Sequence, residues 1–427
     1  MAARPGSLDL PHRAYIEALA DEPEGSPAWH AIVAGYAALQ LFESWMDGGV
    51  GLTAPSMLDV RRVRRYVEAV PERHPGRRCL AHLVDSIEAA TADAHNAPGT
   101  EPRGMQRAEV GRVLAAYAKL LQYDALWGLA ADVHGTIVEF AQRTNDVPRM
   151  LDAMLMRGYS LRMQGRFDEA TDAYAALRAA AAAANDERYR LESHLSDAKV
   201  AMDRGNLPLA RDLLDRTITE GRRAECIPIV AKGLADRARI ALAQHDHDLA
   251  LACLYEAYEL APDPLGRERI LSNIALAFAQ MGLRDAARDA ALLVVATAQD
   301  HSTRLTALVN LMELAAQDGR ELVFEQYRRD LAGEDLTPYL EVTYLEVCVA
   351  GFRAFGRHGE AQQTAERMLQ VAERHRLNEF VLKAEALVRD SGTAPSAPVA
   401  DERAPTTRAM TIARAITDMR IAAGLPD

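Results

Sequence analysis

Residues 158–174, GYSLRMQGRFDEATDAY, have the apolar spacing of two helical segments separated by a turn at Gly165. Steps of 40, 40, 37, 37 and 37 residues from this glycine lead to Gly205, His245, Gly282, Gly319 and Gly356. The same steps from Ala170 lead to Ala210, Ala250, Ala287, Phe324 and Ala361. A helical hairpin of this length cannot bury its apolar face alone, so successive copies must stack. The chain is therefore predicted to be an array of stacked helical hairpins.

The composition favours helices and excludes several classes of function. Of the 427 residues, 49% are apolar but only 6% are aromatic, whereas strands prefer aromatic and β-branched residues. The net charge of −12 argues against an electrostatic grip on nucleic acid. No apolar run is long enough for a membrane span or a signal peptide, and the four cysteines lack metal-site spacing. We expect a cytoplasmic protein without cofactor or metal, and the oligomeric state stays open.

Breaks in the helical pattern divide the chain into five segments. Residues 1–95 are expected to form an N-terminal helical region, and residues 96–105 contain the prolines and glycines of a linker. About seven hairpins are expected within residues 106–390. A second linker, residues 391–405, precedes a C-terminal amphipathic helix, residues 406–427.

The C-terminal helix carries an apolar stripe, formed by Ile412, Ile416, Met419 and Ala423. It could cap the last hairpin or fold back into the binding groove as an inhibitor. Capping is the expected role, because terminal repeats need a polar outer cover.

Small residues recur where the two helices of a hairpin should approach closely. On first helices they are Gly158, Ala198, Ala238 and Ala275. Met312 and Phe324 replace small residues in the same hairpin, so we expect that hairpin to be splayed or shifted.

The segment that begins at Gly158 resembles a tetratricopeptide repeat, with its glycine, aromatic residue, Asp-Glu pair and alanine at the family's spacing. Pro262 adds the terminal proline of that motif. The resemblance covers roughly residues 106–390, although these units exceed the family's usual length of about 34 residues. It implies an all-α, right-handed α-solenoid whose first helices line an inner face, where members mostly bind peptides or partner proteins. It implies no enzymatic activity.

The residue two positions before the small first-helix residue faces the groove in such repeats. The corresponding residues here are Met156, Ser196, Asp236, Asn273, Asn310 and Val347. An asparagine side chain both donates and accepts hydrogen bonds, so a ladder of them can hold an extended backbone. The alternative is that these are simply polar residues on an open face.

Cationic residues lie close to this polar ladder in the same registration. Lys199, Arg239 and Arg162 point inward one turn along, and Arg269 lies near the start of its helix. Cations beside amides suit an acidic peptide or a free C-terminal carboxylate. Acidic neighbours could instead pair with these cations, namely Asp197, Asp203 and Asp236.

The densest group of metal-ligand residue types is His245-Asp246-His247-Asp248. Consecutive residues of one turn cannot all converge on an ion, so we expect a solvated turn with a helix cap. The sequence contains no recognisable catalytic motif.

Two functions remain compatible with these patterns. The first is a non-catalytic scaffold or adaptor whose concave groove binds a peptide or partner protein. The alternative is a signal-responsive regulator, in which the solenoid senses a ligand and helices within residues 28–95 act as effector.

Overall fold

The computed structural model describes residues 12–48, 57–96, 102–375, 377–389 and 405–425. These residues form twenty α-helices and no strands, and most helices contact the next helix along the chain. The predicted all-α, tetratricopeptide-like solenoid is confirmed. Contacts divide the chain into an N-terminal unit, which ends at Ser196, and a C-terminal unit, which begins at Asp197.

The helices of the N-terminal unit are α1 (Arg13–Asp21), α2 (Pro27–Gly48), α3 (Met57–Ala69), α4 (Pro75–Asn96), α5 (Pro102–Tyr123), α6 (Trp127–Arg143), α7 (Val147–Met163) and α8 (Phe167–Ala183). Helix α9 (Glu187–Asp203) contains the dividing point. The remaining helices are α10 (Leu207–Arg223), α11 (Ile227–Ala243), α12 (His247–Leu260), α13 (Pro264–Gln280), α14 (Arg284–Thr297), α15 (His301–Gln317), α16 (Glu321–Ala332), α17 (Pro338–Ala354), α18 (His358–Arg374), α19 (Asn378–Arg389) and α20 (Thr407–Ala422).

One hydrophobic core runs through the N-terminal unit from α1 to α7, and α4 packs directly on α5. The expected boundary at residues 96–105 therefore does not coincide with the division between the two units; residues 97–101 lie outside the described part. His12 strengthens this core, since its ring nitrogens lie 3.0 Å from a Glu43 carboxylate oxygen and 2.9 Å from one of Asp132.

The turns between helices repeat one backbone conformation. A residue of positive φ recurs every 20 residues at Ala125, Asn145, Gly165, Asn185, Gly205, Glu225 and His245. The helices between these turns, α6 to α11, each have 17 residues. The predicted turn at Gly165 is confirmed, and glycines end several first helices in a left-handed conformation, with φ of 73° at Gly165, 76° at Gly205 and 73° at Gly356.

Three second helices of the C-terminal unit, α12, α14 and α16, are shorter than the helices before them, whereas the second helix α18 again has 17 residues. Helices α12 and α14 have 14 residues and α16 has 12, whereas the first helices α13, α15 and α17 keep 17. Ala261 and Ala298, which follow α12 and α14, have extended backbones. This shortening produces the change in repeat interval from 40 to 37 residues.

The hairpin with two bulky residues keeps both of them in its core. Phe324 and Met312 are fully buried, and the Phe324 ring occupies the space that the missing Gly351 side chain leaves on α17. Phe324 also contacts the rings of Phe352 and Phe355 edge-on. The bulky Phe324 of α16 is thus accommodated by a glycine on the next first helix, α17.

The C-terminal helix α20 packs on α12 and α14, in the middle of the C-terminal unit. The expectation that it caps the last hairpin is wrong, because its contacts are with hairpins that precede the last one. The inhibitor alternative is also wrong, because α12 and α14 are second helices and the proposed groove is formed by first helices. The linker predicted at residues 391–405 falls almost entirely outside the described part.

Candidate functional site

Three first helices of the C-terminal unit, α13, α15 and α17, contact one another in sequence. Asn273 on α13 and Asn310 on α15 occupy equivalent positions on adjacent helices, 37 residues apart. Both are half-buried, and neither side chain has a hydrogen-bond partner among the described residues. This pair therefore offers two amide groups whose donors and acceptors are available to a ligand.

The other two polar residues of the predicted ladder are much less accessible. Asp236 is 8% exposed and Ser196, the last residue of the N-terminal unit, is 5% exposed. Asp236 lies 3.3 Å from the Lys199 ammonium and 3.4 Å from the Arg239 guanidinium. Lys199 and Arg239 therefore pair with an acidic neighbour, as the alternative in the sequence analysis allowed. Asp236 holds both cations in position.

The predicted cations differ in their surroundings. The carboxylate of Asp236 is shared between two cations, so the cluster has an excess of one positive charge, and the Arg239 side chain is 51% exposed. Arg269 at the start of α13 is exposed and forms no ion pair within the described ranges. Arg162, in the N-terminal unit, places its guanidinium 5.3 Å from the centroid of the Tyr159 ring.

Acidic residues outside the predicted ladder lie on the next first helices, α15 and α17. Glu313 on α15 is exposed, yet desolvation and the neighbouring carboxylate of Glu346 raise its pKa. Desolvation also raises the pKa of Glu346 on α17, although Lys383 at 4.0 Å opposes the rise. Nearby protein displaces solvent around both carboxylates, which disfavours their charged forms.

Tyr339 at the start of α17 supports this description of the surface. It is 61% exposed, but desolvation raises the pKa of its phenol, and the positive charge of Arg239 opposes that rise. Arg239 lies on α11, so it is within electrostatic reach of a residue on α17. We use the name inner surface for this set of first-helix residues, Arg239, Asn273, Asn310, Glu313 and Tyr339.

The position of Glu313 could have been predicted from the spacing of the repeats. Glu313 follows Asn310 by three residues, as Arg239 follows Asp236. The position three residues after the ladder residue was predicted to face inward for Arg239. The same registration predicts an inward position for Glu313. The inner surface is therefore cationic near α11 and anionic near α15 and α17.

The acidic and histidine-rich turn before α12 serves a structural role. Asp246 accepts a hydrogen bond from the Leu249 amide at 3.2 Å, which confirms the predicted helix cap. Within the described ranges, no group of three potential ligands is arranged to hold a metal ion. No helix there is both long and apolar enough to cross a bilayer.

Comparisons with known proteins give general likenesses only. No family model matches the chain, and no curated protein matches its sequence. A Rap protein complexed with competence and sporulation factor is 11% identical with a TM-score of 0.46, covering 81% of this chain and 98% of that one. The apo form of RapI is 9% identical with a TM-score of 0.39, covering 84% and 97%. BtubC (BKLC) from P. vanneervenii is 14% identical with a TM-score of 0.37, covering 60% and 92%. Such low scores carry no inference about what this chain binds.

Proposed function

We propose that this protein is a non-catalytic, cytoplasmic adaptor that binds an extended peptide, or an extended segment of a partner protein, on the inner surface. The observation that supports this most directly is the pair of unpartnered, half-buried amides of Asn273 and Asn310 at equivalent positions on adjacent helices. Polar groups that are partly desolvated without a partner gain the most from a ligand that pairs with them.

The spacing of the two asparagines suits an extended backbone. Packed helices lie about 8–10 Å apart, and an extended chain rises about 3.3 Å per residue. The two amides would therefore reach peptide groups about three residues apart. Because they contact the ligand's main chain, they can hold it without strong demands on its side chains.

The charges of the inner surface favour one orientation of the ligand. Its acidic residues or carboxyl terminus would lie near Arg239 and Arg269, and its basic residues or amino terminus near Glu313 and Glu346. The expected acidic partner is thus refined to a segment whose two ends carry opposite charges.

A peptide selection on the immobilised full-length protein tests the proposal. Replacing Asn273 and Asn310 with alanine removes two bidentate contacts, so selected peptides should lose about 100-fold in affinity, or about 3 kcal/mol. Gln326→Ala, which removes an exposed amide from the second helix α16, is the matched control and should leave the Kd unchanged. Equal affinities for the double variant and wild type, or no selected peptide at all, would contradict the proposal.

The regulator alternative gains less support from the fold. It needs helices within residues 28–95 to act as a separate effector, but the core shared by α2 to α6 ties them to the first hairpins. An adaptor needs no such movement.

A further inference from the structure

Helix α20 lies in a groove between two second helices that belong to different hairpins. Its apolar stripe enters the same core as α12 and α14, and its buried members are Ala409, Ile412, Ala413 and Ile416, from 0% to 9% exposed. The spacing of these residues is that of a helix laid along a groove. The α12/α14 groove is therefore a formed helix-binding site.

Polar contacts fasten α20 to both walls of the groove. On α12, Asp248 accepts a hydrogen bond from Thr406 at 2.6 Å, and the Tyr258 hydroxyl lies 3.8 Å from the Met419 sulfur. On α14, Asp289 lies 2.8 Å from the Arg420 guanidinium and accepts a hydrogen bond from Thr417 at 2.7 Å. The side chains of Asp289 and Arg420 are only 13% and 8% exposed, so their ion pair is removed from solvent.

Helix α20 contacts the partner helices of α11 and α13, which carry residues of the inner surface. Helix α12 packs on α11, which carries Arg239, and α14 packs on α13, which carries Asn273. A helix that contacts both α12 and α14 restrains the separation of the two hairpins from the side opposite the first helices.

We infer that the α12/α14 groove is a docking site for a basic amphipathic helix, and that α20 occupies it as a detachable brace that sets the spacing of the α11/α12 and α13/α14 hairpins. Attachment through side chains, with a short apolar stripe and a single buried ion pair, makes release possible without unfolding either hairpin. The inference that α20 sets the hairpin spacing is independent of the proposed function. Only the expected effect of that spacing on peptide affinity rests on the proposed function.

Distance measurements on the full-length chain test the brace. Spin labels are placed at the exposed ends of α11 and α15, on cysteines that replace Ala243 and Gln317, with Cys79 and Cys226 changed to serine. A matched label pair at Gln280 and Ala354 spans α13 to α17 and omits the α11–α13 step. Pulsed double electron–electron resonance reports both distance distributions without any ligand.

Two variants release α20 from its groove without altering the groove itself. Ile412→Asp with Ile416→Asp places charges in the apolar stripe, and Arg420→Glu opposes Asp289. Met410→Asp, on the exposed face of α20, is the control. Hydrogen exchange of residues 407–422 verifies release.

We expect both variants to broaden the Ala243–Gln317 distribution and shift it by about 2 Å, with the Gln280–Ala354 pair and the control variant unchanged. Release of α20 with an unaltered Ala243–Gln317 distribution overturns the brace. Unchanged exchange in both variants shows that α20 is not detachable and overturns the inference as well. If the distance shifts but peptide affinity does not, the brace stands and its link to the proposed function fails.

Discussion

Helices α10 and α14 are both second helices, but they meet solvent in different ways. Helix α10 has 17 residues and buries five of them, so a broad polar face remains exposed. Helix α14 is three residues shorter and buries seven, including Asp289. Its outer face is rich in alanine and is covered by α20. The shorter second helix α14 thus buries its apolar surface against α20, a helix from a distant part of the chain.

Helix α16 shows a second way to complete a short second helix. It has 12 residues, and Phe324 extends from it to Gly351 and to the rings of Phe352 and Phe355. One bulky side chain there replaces the buried surface that a longer helix would supply. The comparison suggests that the repeat tolerates loss of a turn only where another group fills the space.

The largest effect should come from filling the space that Phe324 occupies. In Gly351→Ala the added methyl group would overlap the Phe324 ring, so we expect a loss of about 2–3 kcal/mol in the free energy of unfolding. Gly359→Ala, on α18 with no atom near the added carbon, should be neutral or stabilising. Urea unfolding followed by circular dichroism measures both. A Gly351→Ala variant as stable as wild type would show that Phe324 does not complete the hairpin.

An intermediate effect should follow from removing the carboxylate beneath α20. Asp289→Ala leaves the Arg420 guanidinium buried without its counter-ion, but α20 can detach, which limits the cost to about 2 kcal/mol. Amide exchange in residues 407–422 should rise about 30-fold. Asp285→Ala, on the same helix with a side chain 95% exposed, is the control and should change the exchange little. Equal exchange in the two variants would mean that the ion pair does not fasten α20.

The smallest effect should come from the turns, which long and short hairpins share. His245 has φ of 58°, a conformation that is unfavourable for a residue with a side chain. His245→Gly should therefore raise the free energy of unfolding by about 1 kcal/mol.

Gly205→Ala supplies the reverse test of the turns. No atom lies near the added carbon, so the loss of about 1 kcal/mol comes from its φ of 76° alone. Thermal unfolding measures both turn variants. A destabilised His245→Gly protein would show that the histidine side chain stabilises the turn, in conflict with a purely conformational role.

The sequence predicts those features that depend on neighbouring residues. A turn at Gly165 and a helix cap within residues 245–248 are local requirements, and both were predicted correctly. Pairing of Lys199 and Arg239 with Asp236 depends on side chains of two packed helices, so the sequence left two alternatives open.

The docking of α20 could not be deduced from its own pattern. An apolar stripe shows that a helix needs a partner surface but does not identify that surface. The available signal lay in α14, where Leu292 and Leu293 stand at the positions that Asp215 and Arg216 occupy in the second helix α10. A second helix without a polar face requires a cover.

The turns that recur every 20 residues from Ala125 to His245 make each single helix with its turn an interchangeable module. Gain or loss of one module by recombination would reverse the parity of all later helices, turning outward faces toward the side of the first helices. Gain or loss of two modules preserves that parity. Evolutionary length changes in this stretch should therefore occur in even numbers of modules, and designed extensions should obey the same restriction.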